Sequence, residues 1–183
     1  MAPKKIFGFV GQMASGKGTA CQYLHERHGA VTIRYSTMLR DVLTRLYLPQ
    51  TRDNLIRVSE ALRGAFGEDL MAEVVRQEIK DHVASVICID GIRRPQDIEI
   101  LRQLPGFTLV HITAAMETRY ERIQARNENA DDRSKTFDMF VAEHERSTEQ
   151  TIGQVAASAD IEIDNNGAHA ALIAQLDALI ERT

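Results

Sequence analysis

The run Gly11-Gln12-Met13-Ala14-Ser15-Gly16-Lys17-Gly18-Thr19 has the residue types and spacing to hold a chain of phosphates. Glycines let backbone N–H groups turn inward around an anion with no Cβ in the way. Lys17 adds a full charge that can reach the outer phosphates. A helix beginning here would aim its positive dipole end and its free N–H groups at the same anion. Gly11, Ala14, Ser15, Gly16, Lys17, Gly18 and Thr19 are therefore the expected cradle. The usual form of the motif places Ser or Thr directly after the lysine as a Mg2+ ligand. Here Gly18 stands in that place and the hydroxyl follows one residue later, at Thr19, which leaves direct and water-mediated ligation both open.

Phosphate chemistry asks for a metal partner and for more positive charge. Asp90 ends an apolar run beside Gly91, where a carboxylate can hold Mg2+ directly or through water. A capping or turn aspartate is the competing reading. Arg40 lies one turn into a helical pattern, and Arg93 and Arg94 follow Asp90-Gly91-Ile92. Arg119, Arg122 and Arg126 recur at spacings of three and four and share a helix face, with Arg133 in the polar stretch beyond. Arginine forks bind phosphate oxygens and offset charge spread over a transferring phosphoryl group. Arg119 reads equally well as a surface arginine paired with Glu117 or Glu121. The six histidines have no Ser or Cys partner at motif spacing, and His25 and His111 read as structural. Nothing points to a covalent nucleophile, and phosphoryl transfer needs none.

These residues must be delivered by a scaffold. Ile6 to Val10 reads as a short buried strand and Ala20 to His28 as the helix after the loop. Val31 to Tyr35 reads as a second strand. Ser36 or Thr37 would cap a helix from Met38 to Leu46, which stops before Pro49. Thr51 or Asp53 would start another, with Leu55, Val58, Leu62, Ala65 and Phe66 at helical spacing and Gly67 as its break. Asp69 to Val83 continues as a helix. Val86 to Asp90 is a continuous apolar run of the kind found in a central parallel strand. Pro95 suits a helix start. Phe107 to Thr113 is a fourth strand, Glu117 to Arg126 a helix, and Asn127 to Lys135 a polar segment. Phe137 to Ala157 reads as helical with a break near Gly153, Asp160 to Asp164 as a fifth strand, and Ala168 to Arg182 as a last helix. Alternating strands and helices imply an α/β fold, a parallel sheet with helices on both faces. Ligands of such sheets lie at the carboxyl ends of the strands. Gly11 to Thr19, Ser36 to Arg40, Asp90 to Arg94 and the segment from Ala114 onward should then converge.

The 183 residues suit one domain, residues 1–183, with a sizeable core. A net charge of -4 argues against a general binder of nucleic acid or anionic membrane. Cys21 and Cys88 have no metal-ligand spacing and read as small core residues. No stretch reads as a signal peptide or a membrane span, so the cytoplasm is the expected location.

Together the motifs resemble those of the P-loop nucleoside monophosphate kinases. Gly16-Lys17-Gly18-Thr19 is similar to the loop of the adenylate kinase group, where Gly also separates Lys from Thr. Met38-Leu39-Arg40 resembles the group's segment after the second strand, whose arginine holds the acceptor monophosphate. Asp90-Gly91-Ile92-Arg93-Arg94 resembles its Asp-Gly-Phe-Pro-Arg segment, with Arg94 matching the arginine, and Arg122-Ile123-Gln124-Ala125-Arg126 resembles its lid arginines. A poorly characterised kinase branch is more similar still, with Ser-Asp-x-Leu-Arg, Asp-Gly-Ile-Arg and a late Ala-Asp-x-x-Ile-x-Asn-x-Gly. Here these are Ser36-Thr37-Met38-Leu39-Arg40, Asp90-Gly91-Ile92-Arg93 and Ala159 to Gly167, with Thr37 in place of the aspartate.

The resemblance implies a P-loop NTPase three-layer sandwich with a five-stranded parallel sheet. It implies an acceptor-binding helical region over about 36–83 and a short lid over about 127–135. ATP and Mg2+ would be the cofactors. Lys17, Asp90, Arg122 and Arg126 would serve the reaction, Arg40, Arg93 and Arg94 the acceptor, and Thr19 and Asp90 the metal. The expected activity is transfer of the γ-phosphate of Mg·ATP to a nucleoside or deoxynucleoside monophosphate. The acceptor is a small molecule, with neither nucleic acid nor membrane as partner. A dephospho-CoA kinase-like activity and an ATPase switch acting on a protein are the alternatives. Gly18 and Thr37 speak against the first, and the arginines after strands two and three against the second.

Overall fold

The computed structural model describes residues 4–126, 136–144 and 147–183. Five strands, β1 (Lys5–Val10), β2 (Val31–Arg34), β3 (Val86–Asp90), β4 (Phe107–Thr113) and β5 (Ile161–Asp164), form one parallel sheet in the order β2-β3-β1-β4-β5. Among the described residues the helices are α1 (Lys17–His28), α2 (Tyr35–Arg45), α3 (Arg52–Phe66), α4 (Leu70–Asp81), α5 (Pro95–Leu101), α6 (Met116–Arg126), α7 (Phe137–His144), α8 (Ser147–Ala156) and α9 (His169–Arg182).

Side chains alternate across a strand, and β1 shows what each face buries. Phe7 and Phe9 pack with Ala20, Cys21 and Leu24 of α1 and Leu172, Leu176 and Leu179 of α9. Ile6 and Val10 pack on the other face with Leu39 of α2, Met71, Val75 and Ile79 of α4, Ile98 and Leu101 of α5, and Ile152 and Val155 of α8. The result is a three-layer α/β sandwich of the P-loop NTPase type. Among the described residues α3 supplies no core residue, and it is tied to the molecule by the half-buried Leu55, Val58 and Leu62.

The sandwich agrees with the order read from the sequence, and the bounds of β3 and β4 are those expected. Other bounds differ. The first helix begins at Lys17, so the lysine is itself in the first turn. The second strand ends at Arg34, and α2 starts directly at Tyr35, whose ring is buried in the core. Ser36 and Thr37 therefore lie inside α2 and do not cap it. The helix over residues 69–83 is shorter, because His82 turns to an extended conformation. Thr51 does cap α3, accepting from the Asn54 N–H at 3.2 Å. Gly153 does not break a helix: α8 runs through it, held by the buried Ile152 and Val155 on either side.

Candidate phosphate and acceptor site

The loop between β1 and α1 lies where the strand order reverses, with β3 and β4 on opposite sides of β1. Its backbone is bent to a shape that side chains resist. Gly11 has φ 152° and Gly16 φ 111°, and Ala14 adopts the left-handed region at φ 59°. A Cβ on Gly11 would stand 2.3 Å from the Ile112 carbonyl oxygen, and one on Gly16 would stand 2.2 Å from Asn165 Nδ2. Ala14 holds a conformation that costs an L residue about 1–2 kcal/mol, strain of the kind that collects at ligand-holding loops. Ser15 Oγ is buried without a hydrogen-bond partner among the described residues. A curved loop with an orphan hydroxyl and a helix start beneath it fits a run of phosphates.

Lys17 Nζ donates to the carbonyls of Gly11 (2.7 Å) and Gln12 (3.1 Å), which folds its stem along the loop. Thr19, two residues further on, is exposed at the start of α1. Asp90 faces Arg34 across the β2–β3 register, with Arg34 Nε 3.6 Å from its carboxylate. Lys17, Thr19 and Asp90 line one cleft. An exposed hydroxyl and one half-exposed carboxylate, completed by phosphate oxygens and water, are a donor set that suits Mg2+. Among the described residues no group of three or more His, Cys, Asp or Glu forms a metal cluster.

The loop is held from outside by residues of α6 and the β5–α9 turn. Asn165 is buried, and its Nδ2 donates to the Ser15 carbonyl at 2.8 Å. Arg122 donates to the Asn165 carbonyl at 2.8 Å, while its second terminal nitrogen is buried without a partner among the described residues. Arg119 is no surface arginine: it is 2 % exposed, donates to the carbonyls of Ala114 (3.0 Å) and Met13 (3.4 Å), and lies 5.6 Å from the Phe140 ring centroid. Arg126 closes α6, with its side chain outside the described residues, as are Arg133 and the whole segment 127–135 expected as a lid.

The cleft, about 1840 Å³, continues from the loop to the face where α2 and α3 approach the end of β3. Arg40, Arg93 and Arg94 all line it. Arg40 is exposed and bonds Gln50 Oε1 at 3.1 Å, Arg93 is exposed, and Arg94 is half-buried in an ion pair with Glu68. Of the expected set, Gly11, Ala14, Gly16, Lys17, Gly18, Thr19, Arg40, Asp90, Arg93, Arg94 and Arg122 line this one cleft, while Ser15 lies buried and the Arg126 side chain is outside the described residues.

It adds four residues that the sequence did not single out: Tyr35, Arg63, Asp97 and Asn165. Arg63 bonds Ser59 Oγ, and its Nε is buried without a partner among the described residues. Burial, then the neighbouring Arg94 charge, depresses its affinity for a proton, against the pull of Asp97 and Glu68. Burial pushes the Asp97 carboxyl up to about 6, despite Arg63, Arg94 and the backbone N–H groups of Arg94 and Arg93, which favour its charged form. Burial likewise raises the Tyr35 hydroxyl, whose oxygen has no partner among the described residues. Only Asn165 had a signal in the sequence, as the Asn of the late Ala-Asp-x-x-Ile-x-Asn-x-Gly pattern. In that pattern Asp160 proves structural: it accepts from the Leu109 N–H at 2.8 Å and pairs with Arg102 at 2.9 Å, pinning the start of β5 to β4.

Comparison with known proteins gives three findings. The family model described as "AAA domain" (AAA_18) matches residues 8–153. A "UPF0200 protein" of Methanoculleus marisnigri is 30% identical over 179 residues, covering 97% of this chain and 96% of that one. Among solved structures, TT1252 from Thermus thermophilus superposes with a TM-score of 0.63 at 18% identity over 98% of each chain. A shikimate kinase from Bacteroides thetaiotaomicron does so with 0.61 at 13% identity over 97% of each. The structural likenesses speak to the fold alone.

Proposed function

Given a chain that belongs to the AAA_18 family and to the UPF0200 proteins, with a P-loop kinase-like fold, we propose that it transfers the γ-phosphate of Mg·ATP to a nucleoside or deoxynucleoside monophosphate. One observation carries this reading. A single cleft is lined both by Lys17, Thr19 and Asp90 and by Arg40, Arg93 and Arg94, so a donor and an acceptor would share it.

In this reading the amides of Gly11 to Thr19 hold the donor phosphates, and Lys17 swings from its loop carbonyls to the outer phosphate oxygens. Bound Mg2+ would neutralise charge between the outer phosphates, with Thr19 and Asp90 as the protein groups that hold it, directly or through water. Arg40, Arg93 and Arg94 fix the acceptor phosphate. An oxygen of that phosphate displaces the leaving oxygen of ADP, giving ADP and a nucleoside diphosphate. Arg122, with an unpartnered nitrogen beside the loop, offsets charge on the phosphoryl group in flight. Arg126 and a lid over about 127–135 belong to the same proposal, on the resemblance of Arg122-Ile123-Gln124-Ala125-Arg126 to the lid arginines of the nucleoside monophosphate kinases. Helices α2 to α4 would form the acceptor-binding part, with the outlying α3 as its adjustable wall.

The test is ADP release from Mg·ATP across a panel of ribo- and deoxynucleoside monophosphates, with dephospho-CoA as a further acceptor. Stimulation by one monophosphate is expected. Stimulation by dephospho-CoA alone, or slow release that no acceptor changes, would contradict the proposal.

A further inference from the structure

The floor of the acceptor end holds a cluster whose polarity exceeds what the fold requires. Tyr35 begins α2 with its ring 6 % exposed, and its Cβ would lie 3.6 Å from a Cβ built on Gly91, just beyond β3. Its hydroxyl oxygen is buried and has no hydrogen-bond partner among the described residues. Arg63, from α3, brings a buried Nε that is also without one. Tyr35, Arg63, Arg94 and Asp97 all line the same cleft. Leaving two buried donors unmade costs about 1–3 kcal/mol each, a cost that a structure carries where a ligand completes the bonds.

The charges around these donors say what the ligand is. Arg94 lies close enough to Arg63 to disfavour the charge of Arg63. Glu68 answers them from an exposed position by pairing with Arg94, and Asp97 answers from a buried one, where desolvation resists its ionisation. Neither compensation is good. A dianion placed between the two guanidinium groups would relieve the repulsion, accept from the Tyr35 hydroxyl and Arg63 Nε, and free Arg94 from Glu68.

We propose that Tyr35, Arg63 and Arg94 form the subsite for the phosphomonoester dianion of the acceptor. The inference rests on the cleft being a phosphate-acceptor site. It goes beyond the arginines legible in the sequence by placing the innermost grip on α3, a helix with no recognised motif, and on an aromatic hydroxyl at the start of α2.

The experiment separates this subsite from the donor loop and from the identity of the nucleotide. The protein is saturated with Mg2+ and a non-hydrolysable ATP analogue, so that the loop is filled, and inorganic phosphate is titrated by calorimetry. Acetate serves as the monoanionic comparison. Phosphate should bind the wild type, with acetate at least tenfold weaker. Arg63→Gln should weaken phosphate by tenfold or more, and Tyr35→Phe, which removes one oxygen and keeps the ring in the core, by three- to tenfold. Under turnover the same variants should raise the acceptor KM and leave the ATP KM within twofold. Arg63→Lys should recover part of the loss, since it restores charge without the Nε donor.

Phosphate affinity unchanged in both Arg63→Gln and Tyr35→Phe, or no phosphate binding by the wild type, would overturn the subsite. Acetate binding as tightly as phosphate would overturn the dianion assignment. If phosphate behaves as expected while no nucleoside monophosphate is phosphorylated, the subsite stands and the nucleotide reading falls.

Discussion

Removing the charge of Asp97 should make the protein more stable at neutral pH, although the carboxylate has two arginines beside it. Asp97 is 2 % exposed in the first turn of α5, and its carboxyl titrates at about 6 instead of the usual 3.8. The first cause is burial, and the attraction of Arg63 and Arg94 only partly offsets it. The folded state therefore binds a proton that the unfolded chain has released. The stability tied to this group is fully present below pH 3.8 and is lost as pH rises through 6. An upward displacement of about two pH units corresponds to about 3 kcal/mol once both states are ionised. Asp97→Asn, neutral throughout, resembles the protonated carboxyl in size and polarity. Urea denaturation of both proteins from pH 4.5 to 8 should show the stability difference moving in favour of Asp97→Asn by about 2 kcal/mol across that range, most steeply near about pH 5 and levelling off above pH 6. A difference that stays flat with pH, or that moves in favour of the wild type, would mean that the arginines outweigh burial, and the reasoning would fail.

The same geometry predicts other outcomes. Gly16→Ala puts a Cβ into Asn165 Nδ2 at a φ of 111°, so it should cost about 2–4 kcal/mol in a denaturant melt and raise the KM for ATP. A Gly16→Ala protein with wild-type stability would show that Asn165 moves aside freely. Lys17→Ala should lower turnover by about a thousandfold or more while leaving the circular dichroism spectrum unchanged, because the loop turn is also held by the Ser15 N–H bond to Gln12 and by Asn165. Arg40→Ala should raise the acceptor KM by about 10- to 100-fold and leave ATP binding intact, since its side chain meets Gln50 and not the donor loop. Full acceptor kinetics in Arg40→Ala would remove it from the site.

Much of this arrangement was legible because it is local. Val86 to Asp90 and Phe107 to Thr113 are continuous apolar runs, so their strand bounds could be read directly, and the glycine loop announces its own bend. The start of α2 was not legible. Tyr35 reads as the last strand residue by its β-favouring ring, but the sheet register ends with Arg34 opposite Asp90, and the ring anchors a helix in the core instead. Ser36 and Thr37 have the chemistry of caps without the position. Arg119 shows the same limit: its spacing marks a helix face but not that the face points inward, at Met13 and Phe140. Arg63 and Asp97 lie 34 residues apart in sequence, on α3 and α5, and each alone is an ordinary charged residue of an amphipathic helix. Only the fold, which brings α3 and α5 to one cleft, sets the half-buried Arg63 near the buried Asp97.

The central claim is that the γ-phosphate of ATP leaves for a nucleotide acceptor, and its most direct test follows the label. With [γ-32P]ATP, Mg2+ and the acceptor panel, thin-layer separation of the products should place the radioactivity in a nucleoside diphosphate, with Lys17→Ala as the blank. Label found only in inorganic phosphate, whichever acceptor is present, would contradict the account and leave an ATPase in place of the kinase.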